Sequence, residues 1–217
     1  MAADFEVQRE SLISRLLAAG YVRDDKVAEA LMSVRREEFV PEKQKTYAYD
    51  DRPLSIGWGQ TISAPHMVAI MTQHTEARGA SKVLEVGAGS GYQAAVLAEV
   101  LPDADIISVE RVPELVSFAQ ENLKRCGYEN VTVVFGDGTK GYPDLAPYDR
   151  ILVTAAAPKV PDSLVEQLAE GGRMLIPVGG HFLQDLVAVE KKKGKIEKSS
   201  LGGCVFVPLI GEEGWDK

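Results

Sequence analysis

Apolar positions change their spacing near Ser81. Upstream of it, Leu12, Ile13, Leu16 and Leu17 recur at helical intervals, and Gly20 supplies a stop. A second helix carries Val27, Leu31 and Val34 on one face, with Asp24 or Asp25 able to cap it. Phe39-Val40-Pro41 ends regular helix. From Glu42 to Ser63 no period is visible, and Tyr47, Tyr49, Pro53, Gly57, Trp58 and Gly59 mark a long irregular segment. Its aromatics argue for a functional loop rather than disorder. Trp58 is expected to pack that loop down.

After Ser81 short apolar runs alternate with helical patterns. Strands are expected at Lys82–Val86, Asp105–Glu110, Val131–Phe135, Arg150–Thr154 and Arg173–Val178. Helices are expected at Gly91–Leu101, Pro113–Arg125 and Asp162–Leu168. The second has Pro113 at its start, Lys124 and Arg125 near its end and Gly127 as its stop. Four of the strands are continuously apolar, as strands covered on both faces are. Alternation of this kind means a parallel sheet with right-handed crossovers. Leu186–Glu190 and Cys204–Leu209, with no convincing helix between them, are expected to close the chain as an antiparallel hairpin. The run Lys191–Lys195 would be its solvated tip, blunting a sheet edge. The fold class is therefore α/β: a doubly wound, mostly parallel seven-stranded sheet with N-terminal helices and a C-terminal antiparallel hairpin.

Composition excludes several alternatives. The 217 residues are 45% hydrophobic and 26% charged, ordinary for a soluble globular chain. At that length about 70% of the unfolded surface can be buried. No apolar run approaches the ~20 residues that span a bilayer, and the N-terminus lacks a signal-peptide pattern. A net charge of −8 argues against nonspecific binding to nucleic acid or anionic membrane. Cys126 and Cys204 stand far apart beside apolar residues and read as two buried thiols in a reducing cytoplasm. His66, His74 and His181 show no metal-ligand spacing, so no metal is expected.

The chemistry begins at Val83–Gly91, which reads VLEVGAGSG between a strand and a helix. Glycines there let the backbone turn tightly and approach a ligand. Glu110, ending the next strand, can accept from ribose hydroxyls. A dinucleotide fingerprint would need a small third residue where Tyr92 stands. The acid at Glu85 instead suits a ligand bearing positive charge and no phosphate, which describes S-adenosylmethionine. Past the third strand, Asp137 can accept from an adenine amino group while Gly138 allows flat access to the ring. An Asp-Gly turn is the plainer alternative.

With these residues in view the chain resembles the class I S-adenosylmethionine-dependent methyltransferases, and within them the protein-L-isoaspartate O-methyltransferase family. Gln60-Thr61-Ile62-Ser63-Ala64-Pro65-His66-Met67 matches that family's substrate loop, and Val83–Gly91 its cofactor motif. Ser108-Val109-Glu110-Arg111 matches the ribose-binding strand end, and Gly136-Asp137-Gly138 the adenine contact. Tyr148–Pro161, Leu168–Gly179 and Phe206–Leu209 match later motifs. The substrate loop is the specific part.

The resemblance implies methyl transfer from S-adenosylmethionine to the free α-carboxylate of L-isoaspartyl residues in damaged proteins. The ester then closes to a succinimide, giving normal aspartate another chance, and S-adenosylhomocysteine is the other product. It names Ser63 as catalytic. Gln60, Thr61, Ile62, His66, Glu85, Gly87, Ala88, Gly89, Ser90, Gly91, Glu110, Arg111, Asp137 and Gly138 would bind the cofactor, although His66 is almost as well read as a helix-end residue. Residues 1–80 would form N-terminal helices and the substrate loop, packed on a cofactor-binding core at 81–217 in one compact domain. A monomer in the cytoplasm is expected, with isoaspartyl proteins and peptides as partners. A small-molecule or RNA methyltransferase on the same fold is the alternative.

Overall fold

The computed structural model describes residues 4–216. Helices α1 (Phe5–Ala18) and α2 (Asp25–Ser33) form where the apolar stripes run, and Asp24 caps α2 by accepting from the Lys26 amide at 2.9 Å. Two short 3-10 turns follow, Arg36–Phe39 and Glu42–Tyr47. The segment expected to be irregular then holds a small hairpin, β1 (Leu54–Gly57) and β2 (Gln60–Ile62). Gly57, Trp58 and Gly59 make its turn, all with positive φ. Trp58 is 53% exposed at the tip, so it does not pack the loop down. Pro65 then opens α3 (Pro65–His74).

The remaining elements are β3 (Lys82–Val86), α4 (Tyr92–Val100), β4 (Asp105–Glu110), α5 (Pro113–Cys126), β5 (Val131–Phe135), β6 (Tyr148–Val153), α6 (Asp162–Glu166), β7 (Leu168–Gly179), β8 (Gln184–Lys192) and β9 (Lys195–Cys204). They form one seven-stranded sheet in the order β5-β4-β3-β6-β7-β8-β9. The first five are mutually parallel; β8 runs antiparallel to β7, and β9 antiparallel to β8. Chain order reverses beside β3, so a crevice opens between the carboxyl ends of β3 and β6. That is where open α/β sheets bind ligands.

Strand residues alternate between two cores. Val83, Ile106, Leu152 and Leu175 join α1–α5 in one cluster. Leu84, Ile107, Ile151, Val153, Met174 and Ile176 join Leu164 of α6 and Leu209 in the other. The N-terminal helices thus share a core with the sheet.

The final hairpin differs from expectation. The partner of β8 is Lys195–Cys204, joined through Lys193 and Gly194, both with positive φ. Cys204–Leu209 is not that strand: past Cys204 the chain leaves the sheet edge and crosses toward the end of β6, where Leu209 donates to the Ala156 carbonyl at 2.8 Å. The reason is physical. An edge strand exposed along nearly its whole length needs no apolar alternation, and Lys195–Gly203 has none. The apolar Val205–Leu209 segment is used elsewhere.

Candidate active site

The crevice is walled by the loop after β3. Gly87, Gly89 and Gly91 have φ of 97°, 55° and 85°. A Cβ on Gly87 would lie 2.6 Å from Thr154 Oγ1, and one on Gly91 would lie 3.1 Å from Leu123 Cγ. The first glycine therefore lets β6 close against the loop, and the third lets α4 pack on α5. The Thr154 hydroxyl donates to the Gly87 carbonyl at 2.7 Å and lies 3.0 Å from that of Val86. It staples the two strand ends on either side of the crevice. The Gly87 amide donates to the Val109 carbonyl at 2.8 Å.

Glu110 is the fixed carboxylate of the cleft. Its Oε2 accepts from the Gly89 amide at 2.9 Å, and its Oε1 from the Arg111 and Val112 amides at 2.8 and 2.9 Å. Three of a carboxylate's roughly four acceptor sites are thus used, leaving capacity toward the cleft. Gln60, Thr61, Gly87, Gly89, Arg111 and Gly138 line the same cleft, with Val109, Val112, Thr154 and Ile210. Ile62, Ser63, Ala88 and Ser90 line a smaller cavity continuous with it, beside Tyr92 and Gln93.

Two expected cofactor contacts sit behind the wall. Glu85 is fully buried on the central strand, its carboxyl accepting from Ser108 Oγ while Oε1 has no partner. Burial, opposed by the Ser108 hydroxyl and reinforced by nearby Glu110, pushes its pKa up to about 8. At neutral pH it is mostly an uncharged acid, and it does not line the cleft. Asp137 faces away too. Its Oδ1 accepts from the Thr139 amide and hydroxyl at 2.9 and 2.7 Å, and its Oδ2 from the Glu212 amide at 2.8 Å. These bonds make Asp137 the cap of the turn that follows β5, and Gly138 lines the cleft. Gly91 likewise acts through packing.

A second, wider groove adjoins the cleft, with a volume of about 670 Å³. Ser63, Ala64, His66 and Met67 form one side, and Leu183 with Cys204–Val207 the other. Thr61 and Thr154 line both cavities and mark their junction. His66 lines this groove and not the cleft. Its amide and its Nδ1 lie 2.9 and 2.8 Å from Asp51 Oδ1, so Asp51 caps α3 from a distant loop. A Ser-His-Asp hydrolytic triad is not assembled: no hydrogen bond joins Ser63 to His66, and the Ser63 hydroxyl has no partner among the described residues.

Arg36 carries no motif signal in the sequence. Its guanidinium is fully buried without a carboxylate partner among the described residues. Nε donates to the Ala48 carbonyl and Nη2 to the Ser63 carbonyl, both at 2.8 Å, and Cζ sits 4.8 Å from the centre of the Tyr92 ring. It therefore joins the Ser63 loop to the helix that follows the glycine loop. In sequence it stands in Arg35-Arg36-Glu37-Glu38, which looks like a solvated face. Thr154 and Asp51 carried no motif signal either.

Residues 7–214 match the family model for protein-L-isoaspartate(D-aspartate) O-methyltransferase. Proteins of that name from Methanopyrus kandleri and Staphylothermus marinus are 60% and 55% identical to this chain. The alignments cover 98% and 99% of it, and 96% and 99% of those proteins. A crystal structure of a protein from Plasmodium falciparum described as a putative member, in complex with S-adenosyl-L-homocysteine, superposes with a TM-score of 0.83. It is 32% identical and covers 93% of this chain and 98% of its own.

Proposed function

The chain belongs to the protein-L-isoaspartate(D-aspartate) O-methyltransferase family, and from that premise we propose how its own residues carry the reaction. The enzyme transfers a methyl group from S-adenosylmethionine to the α-carboxylate of L-isoaspartyl residues in proteins. The observation that carries the residue assignment is the meeting of a glycine-walled cleft and an open groove at Thr61 and Thr154, with Ser63 beside the junction.

The cleft suits the cofactor. Glycine stands where a side chain would fill the space, Glu110 retains acceptor capacity for ribose, and Val109, Val112 and Ile210 offer apolar surface for adenine. When bound, S-adenosylmethionine supplies a methyl group activated by a positively charged sulfur. Glu85, Asp137 and Gly91 support the loop from behind, while Gln60, Thr61, Gly87, Gly89, Glu110, Arg111 and Gly138 face the ligand.

The acceptor needs no general base, because a carboxylate of pKa near 3.9 is already ionised at pH 7. The Ser63 hydroxyl, free of other partners, holds one carboxylate oxygen so that the other points through the junction. Placement of this kind lowers a barrier by ~7–11 kcal/mol when reacting atoms are aligned. The groove's apolar wall strips water from the carboxylate. Arg36 fixes the Ser63 backbone relative to Tyr92, and so sets acceptor against donor. His66 and Asp51 shape the groove. The enzyme works as a monomer in the cytoplasm on exposed damaged segments; no helix of the described residues is long and apolar enough to cross a membrane.

Methyl-labelled S-adenosylmethionine and two peptides differing only in an isoaspartyl or aspartyl linkage test this reading. Base-labile label on the isoaspartyl peptide alone is expected. Equal labelling of both, or of neither, contradicts it.

A further inference from the structure

Past the end of β5 an Asp-Gly pair lies against the cleft. A Cβ on Gly138 would lie 2.5 Å from Val86 Cγ1, so that position must be glycine. Position 137 must be a short acceptor, because its carboxylate caps the following turn through Thr139. This is the chain's one Asp-Gly pair, and it has no Asn-Gly. Glycine's bare backbone lets its nitrogen approach the preceding side chain with least hindrance. Asp137–Gly138 is thus the bond most open to the damage that the enzyme repairs. The two asparagines are held by their amides, Asn122 on the Ser90 carbonyl at 3.0 Å and Asn130 on that of Ala104 at 3.1 Å.

The C-terminal turn is fitted around this carboxylate. Glu212 N–H donates to Asp137 Oδ2 at 2.8 Å, and Glu213 N–H to Thr139 Oγ1 at 3.2 Å. A Cβ on Gly211 would overlap Asp137 Oδ1. We propose that the turn at 211–215 guards the protein's own isomerisation-prone bond, Asp137–Gly138.

In the unguarded reaction the Gly138 nitrogen attacks Asp137 Cγ. The nitrogen's proton and one carboxyl oxygen leave as water, after proton uptake by that oxygen, and a five-membered imide closes. Water then adds at the former backbone carbonyl, freeing an α-carboxylate and routing the chain through Cβ. The guard opposes both steps. Rotating Cγ toward Gly138 would break three hydrogen bonds. Burial raises the Asp137 pKa, but the Glu212 amide, Thr139 and Lys140 outweigh it and hold the carboxyl below its usual range, so the oxygen stays unprotonated. An isoaspartyl link would add one backbone carbon before Gly138 and pull it off Val86. The cleft would then be lost. None of this depends on the acceptor assignment above.

Gly211→Ala tests it, since φ at Gly211 is not in the left-handed region and the added methyl meets Asp137. Folded wild type, folded variant and urea-unfolded wild type are aged at neutral pH, and isoaspartate at 137 is counted by peptide mapping. Folded wild type should react about tenfold or more slowly than the unfolded chain. Gly211→Ala should recover most of the unfolded rate, and S-adenosylhomocysteine affinity should fall in step with conversion. Thr139→Val, which removes one donor, should fall between and serves if Gly211→Ala does not fold. Wild type reacting at the unfolded rate, folded variants as slow as wild type, or full affinity after conversion would each overturn the proposal.

Discussion

The two cavities that meet at Thr61 and Thr154 are built in opposite ways. The centre of the cofactor cleft comes from two neighbouring strand ends, Val86–Gly89 and Val109–Val112, with Gln60, Thr61, Gly138, Thr154 and Val207–Ile210 closing around it. Glu110, at the end of β4, accepts from the amide of Gly89 in the loop after the adjacent β3. The acceptor groove comes from segments far apart in the chain: Asp51 against His66, Arg36 against Ser63, and Cys204–Val207 opposite all of them. Local geometry fixes the centre of the first; long-range packing fixes the second. Changes to the cleft should therefore cost binding, and changes to the groove should cost turnover.

The largest effect should come from the cleft. Gly87→Val puts a branched side chain at φ 97° against Thr154. S-adenosylhomocysteine binding by calorimetry should weaken about 10³-fold, from strain of ~3 kcal/mol plus lost contact. Arg36→Met should lower kcat/KM for the isoaspartyl peptide about 10²-fold by loosening the Ser63 loop, with cofactor affinity kept. Arg36→Lys should lie between. Equal losses in both quantities would erase the contrast between the cavities.

Smaller effects sharpen it. Glu85 has a folded pKa raised from 4.5 to about 8. Its stabilising contribution is complete below the unfolded value and is lost as pH rises through the folded one. Wild type should therefore lose a few kcal/mol between about pH 4.5 and 8 that Glu85→Gln does not lose, measured by urea unfolding. Thr154→Val removes the staple between β3 and β6. It should cost about 1–2 kcal/mol, lowering Tm by roughly 2–8 °C at this chain length.

The same contrast decides what could be read from sequence. β3 through β5 and α5 lie where period, cap and stop residues place them, because local chemistry sets them: Pro113 at the start of α5 and Gly127 in the left-handed conformation at its end are examples. The glycine loop was legible for the same reason. Arg36, Asp51 and Thr154 were not, since each acts through a partner fifteen or more residues away or, for Thr154, across the sheet. Lys195–Cys204 escaped because a solvated edge strand carries no apolar signature. Glu85 and Asp137 do not line the cleft. Strand parity turns Glu85 onto the helix-covered face, and the Glu212 amide that claims Asp137 lies at the other end of the chain.

Ser63→Ala tests the division of labour most directly, with S-adenosylhomocysteine affinity and single-turnover methylation measured on the same preparation. Loss of one positioning donor should lower the methylation rate about 10²–10³-fold. Affinity should stay within about twofold, as for a group that acts only on the acceptor. A full rate would remove Ser63 from the chemistry, and a parallel fall in affinity would show that the cleft and the groove are one unit.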